Sequence, residues 1–298
     1  MKYHFIINPA AGAVSANRFL LPKINEYFAG TDKEFKIYIT ERKGHDTELA
    51  RQIAESGEEA RIIACGGDGT LNGVITGAFN YPNVEFGIIP CGSGNDFIKC
   101  FGSKDDFTID LAVSGKPVPV DLIRINDSIC CVNIFSIGID ADVAAGVSKW
   151  RRVPFCGGHA AYNLSLIECL LKPIGWTFSV NGETKNLTII TACNGRVYGG
   201  GYNAAPEADL NDGLMDVVQI RKISKFQLAK IIGLYKGGKH VQNGVVPDNL
   251  KDLLNFSRTD EIEIMSDSEF ITNIDGETEW MKEARIKIIH DGFRFIAP

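Results

Sequence analysis

The sequence predicts an α/β domain with a parallel sheet followed by a mainly antiparallel, β-sandwich-like domain, on three observations. Over the first third, short apolar runs alternate with helical patterns, as in a parallel sheet covered by helices. From about Val120 the pattern changes to successive strand-like runs. Between two of these runs stands Asn181-Gly182, a two-residue hairpin signal.

In the first domain, Tyr3 to Asn8, Phe35 to Thr40, Arg61 to Cys65 and Phe86 to Pro90 read as strands. Residues 14–29, 45–56 and 70–79 between them read as helices. Lys116-Pro117-Val118-Pro119 is the expected connection, so the domains are expected at 1–120 and 121–298, the terminal segment having room to pack back on the first. In the second domain, Ser128 to Ile137, Trp176 to Val180, Leu187 to Ala192, Met215 to Ile220 and Glu261 to Met265 read as strands. Two helical insertions interrupt them, near residues 141–171 and 224–240.

Composition narrows the function. The chain has 298 residues, of which 45% are hydrophobic, enough for a large core. A formal net charge of −6 offers no positive field to attract a phosphate backbone, so nucleic acid is not an expected partner. Eight cysteines without a C-x-x-C pair read as small buried hydrophobes in a reducing cytoplasm, not as zinc ligands. The apolar run at Tyr3 to Ile7 is too short for a signal-peptide core, and no stretch approaches the roughly 20 apolar residues of a membrane span.

The densest chemistry lies at residues 61–72, Arg-Ile-Ile-Ala-Cys-Gly-Gly-Asp-Gly-Thr-Leu-Asn, where a strand runs into glycines and then a helix. Glycines let backbone turn sharply and approach phosphate oxygens, and the helix N-terminus adds amide donors and a positive dipole end. Neither the P-loop nor the dinucleotide fingerprint fits the segment. Asn8-Pro9-Ala10-Ala11-Gly12, Thr40 and Pro90-Cys91-Gly92-Ser93-Gly94-Asn95-Asp96 fall at carboxyl ends of the other strands, where open α/β sheets place ligands. Four such loops on one edge make a coherent nucleotide cleft; the bland reading is four ordinary turns.

Together with Gly199-Gly200-Gly201, Ala205-Pro206, Asp212-Gly213-Leu214-Met215-Asp216-Val217 and Asp275-Gly276-Glu277, these motifs resemble the diacylglycerol kinase catalytic domain family, which includes sphingosine kinases and bacterial lipid kinases. The resemblance implies two domains with an active cleft between them, and ATP-dependent phosphorylation of a lipid hydroxyl, diacylglycerol first. It implies an ATP site from Asn8, Pro9, Gly12, Thr40, Gly66, Gly67, Asp68, Gly69, Thr70, Leu71, Asn72, Ser93 and Asn95. Asp68 would act through Mg²⁺ at the phosphates and Glu277 as general base, although the sphingosine kinase branch gives the base to the loop aspartate. A structural Mg²⁺ is implied at Asp209, Asp212 and Leu214. Asp121, just after the proline-rich connection, is a further candidate for organising Mg²⁺, against an ordinary strand-edge role.

The expected partner is a lipid met at the inner face of the membrane by a cytoplasmic enzyme. Lys149-Trp150-Arg151-Arg152-Val153-Pro154-Phe155 and the lysine-bearing helix around 223–240 are the candidate contacts, against a solvated face. The sequence carries no signal for or against homo-oligomers. The five histidines are dispersed and read as structural or exposed. NAD kinase chemistry, which shares Gly66-Gly67-Asp68-Gly69-Thr70, and a non-catalytic nucleotide or lipid sensor are the alternatives.

Overall fold

The computed structural model describes residues 1–12, 16–92, 94–150, 153 and 158–298, without the side chains of 148, 158 and 159. The chain forms two compact units, Met1–Leu122 with His290–Pro298, and Ile123–Ile289.

The first unit runs β1 (Lys2–Ile7), α1 (Ala16–Phe28), β2 (Phe35–Ile39), α2 (His45–Glu55), β3 (Ala60–Gly66), α3 (Asp68–Ala78), β4 (Val84–Pro90) and α4 (Ile109–Ser114), and then enters β5 (Pro117–Ile125). β1 pairs with β2 and β3, and β3 with β4, all in parallel. Every residue of β3 and β4 is buried, so these strands are mostly apolar on both faces rather than alternating. Phe5, Ile7, Leu20, Ile24, Phe28 and Ile63 pack together where α1 covers the sheet. The terminal segment belongs to the same unit: Phe295 pairs with Phe86, and Phe293 and Phe295 pack with Phe97. Arg61 and Glu85, adjacent on β3 and β4, form a buried ion pair, and the second Arg61 nitrogen donates to the carbonyls of Ala112 and Val113. The buried charges are therefore both partnered.

The second unit continues with β6 (Ile129–Cys131), β7 (Ile134–Gly138), α5 (Ile139–Trp150), α6 (Gly158–Leu171), β8 (Trp176–Val180), β9 (Glu183–Cys193), β10 (Val197–Tyr198), β11 (Tyr202–Asn203), β12 (Met215–Arg221), α7 (Lys225–Lys236), β13 (Leu254–Thr259), β14 (Glu261–Ile274) and β15 (Glu277–Ile296). The neighbours β13-β12-β9-β7-β14-β15 pair antiparallel. Asn181 and Gly182, at φ 50° and 80°, close the β8–β9 hairpin.

Two strand expectations are corrected, and the Lys116–Pro119 connection is the start of β5, which begins at Pro117. Pro117 and Pro119 sit at its poorly buried start, where a missing ladder donor costs little. The single strand expected over 128–137 is two, because the backbone amides of Val132, Asn133 and Ile134 turn to the Asp275 carboxylate. The strand expected over 261–265 extends to Ile274, past a bulge between Met265 and Phe270.

Candidate active site

In the first unit the loops are fastened to one another by backbone. β3 ends at Gly66, Gly67 is extended at φ −103° and ψ −168°, and α3 starts at Asp68. The Gly66 carbonyl accepts from the amides of Cys91 (2.8 Å) and Gly92 (3.1 Å). A Cβ on Gly92 would stand 2.6 Å from the Gly67 Cα, and one on Gly66 2.3 Å from Thr70 Oγ1. The two glycine loops therefore touch main chain to main chain, which only residues without side chains allow.

Asn8 joins the third loop to this pair. Its Nδ2 donates to Thr70 Oγ1 (3.1 Å), its Oδ1 accepts from the Ala10 amide (3.0 Å), and its own amide donates to the Cys65 carbonyl (3.0 Å). Pro9 continues this turn, and Gly12 has φ 81°. The Thr40 amide donates to the Ile7 carbonyl at the same strand ends (2.9 Å).

Asp68 Oδ1 accepts from the Phe97 amide (3.2 Å), which places the carboxylate between the two glycine loops. Gly69 is exposed at the tip of α3. Thr70 and Leu71 are buried, the first holding Asn8 and the second in the core, so their side chains support the loop. Asn72 is half-buried and accepts from Thr76. Asn95, at φ 49° and 2% exposed, donates to the Gly92 carbonyl (2.7 Å), while its Oδ1 has no hydrogen-bond partner among the described residues. Ser93 lies outside the described residues.

A helix N-terminus reached through Gly67 suits an anion, and Asp68 beside it suits the cation that accompanies one. The orphaned Asn95 oxygen asks for a donor such as a hydroxyl, an amine or water. This donor and acceptor set fits a nucleotide triphosphate with Mg²⁺.

Asp121, fully buried, accepts from His290 Nδ1 (2.8 Å) and from the Asp291 amide (2.9 Å). Among the described residues Asp121, His290 and Asp291 are the one group of three metal-type side chains, with ligand atoms within 4.8 Å of one another.

In the second unit Glu277 is exposed, directly after the turn Asp275 (φ 50°) and Gly276 (φ 94°) that joins β14 to β15. Asp275 docks this turn onto the β6–β7 connection by accepting from the amides of Val132 (2.7 Å), Asn133 (3.0 Å) and Ile134 (3.0 Å) and from the Cys131 thiol (3.3 Å). Burial, followed by the Asp275 charge, pushes the Cys131 thiol well up. The Gly276 amide donates to Asn273 Oδ1 (3.0 Å), and Asn273 Nδ2 donates to Asp140 Oδ2 (3.2 Å) and Ser136 Oγ (3.3 Å). Ser136 also donates to Asp140, whose carboxyl is raised by burial despite these donors. Asp140 further lines a cavity of about 30 Å³ with Tyr162, Leu166, Leu228, Ile232 and Tyr235.

Asp209 and Asp212 are exposed and cap their own turns, accepting from the amides of Asn211 (3.1 Å) and Leu214 (2.9 Å). Nearby Asp216 is 4% exposed and bonds Arg258 through Oδ1 (2.8 Å), while its Oδ2 has no partner among the described residues. Burial raises its carboxyl, and the charges of Asp212 and Glu207 add to that rise. Turn oxygens with an orphaned carboxylate oxygen are hard donors, the chemistry that Mg²⁺ takes.

Family models match nearly the whole chain: the diacylglycerol kinase catalytic domain over residues 2–125, and the YegS C-terminal NAD kinase beta sandwich-like domain over 133–294. The chain belongs to the diacylglycerol kinase catalytic domain family. It is 28% identical over 247 residues to a protein named "Probable lipid kinase YegS-like" from Shewanella frigidimarina (strain NCIMB 400), covering 80% of this chain and 76% of that one. It is 25% identical over 286 residues to a protein of Bacillus subtilis (strain 168) named "Diacylglycerol kinase", covering 93% of this chain and 89% of that one. A solved diacylglycerol kinase structure from Bacillus anthracis str. Sterne shares the fold at a TM-score of 0.70 and 19% identity, covering 100% of this chain and 97% of the other.

Within this family frame, the sequence reading named the loops but missed their fastenings. Asp275 was legible only as half of a turn, since its amide partners lie 141 to 143 residues away. Asp140 had a weak signal, a carboxylate closing the apolar run Ile134 to Ile139. His290 was set aside as dispersed, and its position against Asp121 has no local mark in the sequence.

Proposed function

We propose that this chain is an ATP-dependent lipid kinase that phosphorylates a lipid hydroxyl, with diacylglycerol converted to phosphatidic acid as the leading acceptor. The observation that carries the reading is the fastening of three loops around the start of α3, with Asp68 held between two glycine turns. The family relatives named for lipid and diacylglycerol kinase activity support the acceptor class.

ATP with Mg²⁺ supplies the phosphoryl group and neutralises its charge. The chain's own part is to present backbone amides at α3 through Gly67 and Gly69, and Asp68 would hold the Mg²⁺ that accompanies ATP. The acceptor oxygen forms the new P–O bond as the γ-phosphorus bond to ADP breaks. Glu277 takes the hydroxyl proton. Asp275 acts through Glu277 by fixing the turn that carries it. Asp209, Asp212 and Leu214 would hold a structural Mg²⁺ in the second unit, and Asp121, held by His290, would help to organise Mg²⁺ in the first. The enzyme works peripherally at the inner face of the membrane.

Glu277→Gln keeps size and removes the base, so kcat should fall by about 10² to 10⁴ with nucleotide affinity little changed. Asp68→Asn should alter both kcat and the KM for ATP. If Glu277→Gln keeps nearly full kcat while Asp68→Asn is inactive with normal ATP binding, the base is Asp68. The NAD kinase part of the second family description favours NAD as the second acceptor to assay.

A further inference from the structure

We infer that the outward faces of α6 and α7 form a docking surface for an anionic bilayer; this rests on the lipid kinase reading and names the surface through which the second unit meets its lipid.

α6 is apolar on both sides. Ala161, Ser165 and Cys169 are buried, while Leu164, Ile167 and Leu171, spaced three and four residues apart, form one stripe that is 37%, 55% and 80% exposed. An exposed apolar stripe on the side away from the buried one calls for a covering partner, whereas one lone exposed leucine would need no such explanation. On α7, Leu228, Ile231 and Tyr235 face the core, while Phe226 is 71% exposed with Lys230 Nζ 4.5 Å from its ring centre. The two helices cover the same cavity, through Tyr162 and Leu166 from one and Leu228, Ile232 and Tyr235 from the other. The protruding side chains of both helices, Leu164, Ile167, Leu171 and Phe226, are not among the residues that line that cavity.

The charges choose the occupant. α7 carries Lys225, Lys230 and Lys236 and no acid. At the ends of the α6 stripe, Lys149 and Lys172 flank the carboxylate of Glu168, at 2.9 and 3.6 Å. Aliphatic and aromatic side chains ringed by lysines suit acyl chains below anionic headgroups. A second copy of this chain would set like charges against each other. Of the basic segment from Lys149, Arg151 and Arg152 lie outside the described residues.

The test is sedimentation with vesicles of phosphatidylglycerol and phosphatidylcholine, comparing the intact chain with a variant carrying Leu164→Gln, Ile167→Gln, Leu171→Gln and Phe226→Gln. Binding should fall more than about tenfold. Circular dichroism and phosphorylation of a short-chain, water-dispersed diacylglycerol should be unchanged. As a single-site check, Phe226→Trp should shift its emission to the blue on adding vesicles. Unaltered sedimentation of the quadruple variant, or a Phe226→Trp emission that ignores vesicles, would overturn the inference, as would a concentration-dependent dimer that the quadruple variant abolishes. Loss of vesicle binding in a chain that phosphorylates no lipid would leave the docking surface standing and remove the kinase reading.

Discussion

Asp275 gathers three backbone amides and a thiol onto one carboxylate, and Glu277 stands two residues beyond it. Hydrogen bonds to a charged acceptor are worth about 1.5 to 3 kcal/mol each in gross mutational terms, and they are not additive. Asp275→Asn would point amide hydrogens at amide hydrogens, so it should destabilise the second unit by about 3 kcal/mol in urea unfolding. It should also lower kcat while the KM for ATP stays put. A variant with the stability loss but full kcat would show that the turn does not set Glu277. One pH response comes from His240, which is fully buried, donates to the Ala204 carbonyl through Nε2 (2.9 Å) and has its pKa lowered by burial. Its unfolded value is near 6.5, so below that pH the unfolded chain gains a proton that the folded chain resists, and stability is lost as pH falls. His240→Asn should be less stable than the parent at pH 7.5, with the gap narrowing below pH about 6.5. A gap constant with pH would contradict the neutral, buried histidine.

The β3–α3 turn works because a second glycine loop lies on it. Gly92→Ala would put a methyl 2.6 Å from the Gly67 Cα, a backbone atom with no rotamer to yield. Such overpacking typically costs about 1 to 3 kcal/mol, and here the strain falls on the loop proposed to meet phosphate. Calorimetry should show weaker ATP binding, whereas the same substitution at Gly182, where nothing stands within 4 Å but φ is 80°, should affect folding alone. Elements with this local logic were legible in the sequence: β3 and β4 are buried throughout and announce themselves as apolar runs between glycines. β14 beyond Met265 and the 20-residue β15 were not, because Glu, Lys and Thr on their exposed positions dilute the apolar pattern. Nor could the break between β6 and β7 be read locally, since a distant carboxylate draws its amides out of the strand.

At the scale of the molecule, each unit holds its own group of candidate residues. The first holds the fastened glycine loops, and the second holds the Glu277 turn and the Asp140 network. The loop motifs were visible because a close approach of main chain to main chain demands glycine at neighbouring positions. The supporting shell was not, because Asp140, Ser136 and Asn273 meet across strands that no sequence spacing links. No helix among the described residues is long and apolar enough to cross a membrane. The central claim is phosphoryl transfer to a lipid alcohol. The direct measurement is mass spectrometry of mixed micelles of diacylglycerol and a sphingoid base, incubated with the purified chain, Mg²⁺ and ATP labelled with ¹⁸O in its γ-phosphoryl group, beside a parallel reaction with NAD. Labelled phosphatidic acid that vanishes with Glu277→Gln is the predicted result; label found only in NADP or only in inorganic phosphate would contradict it.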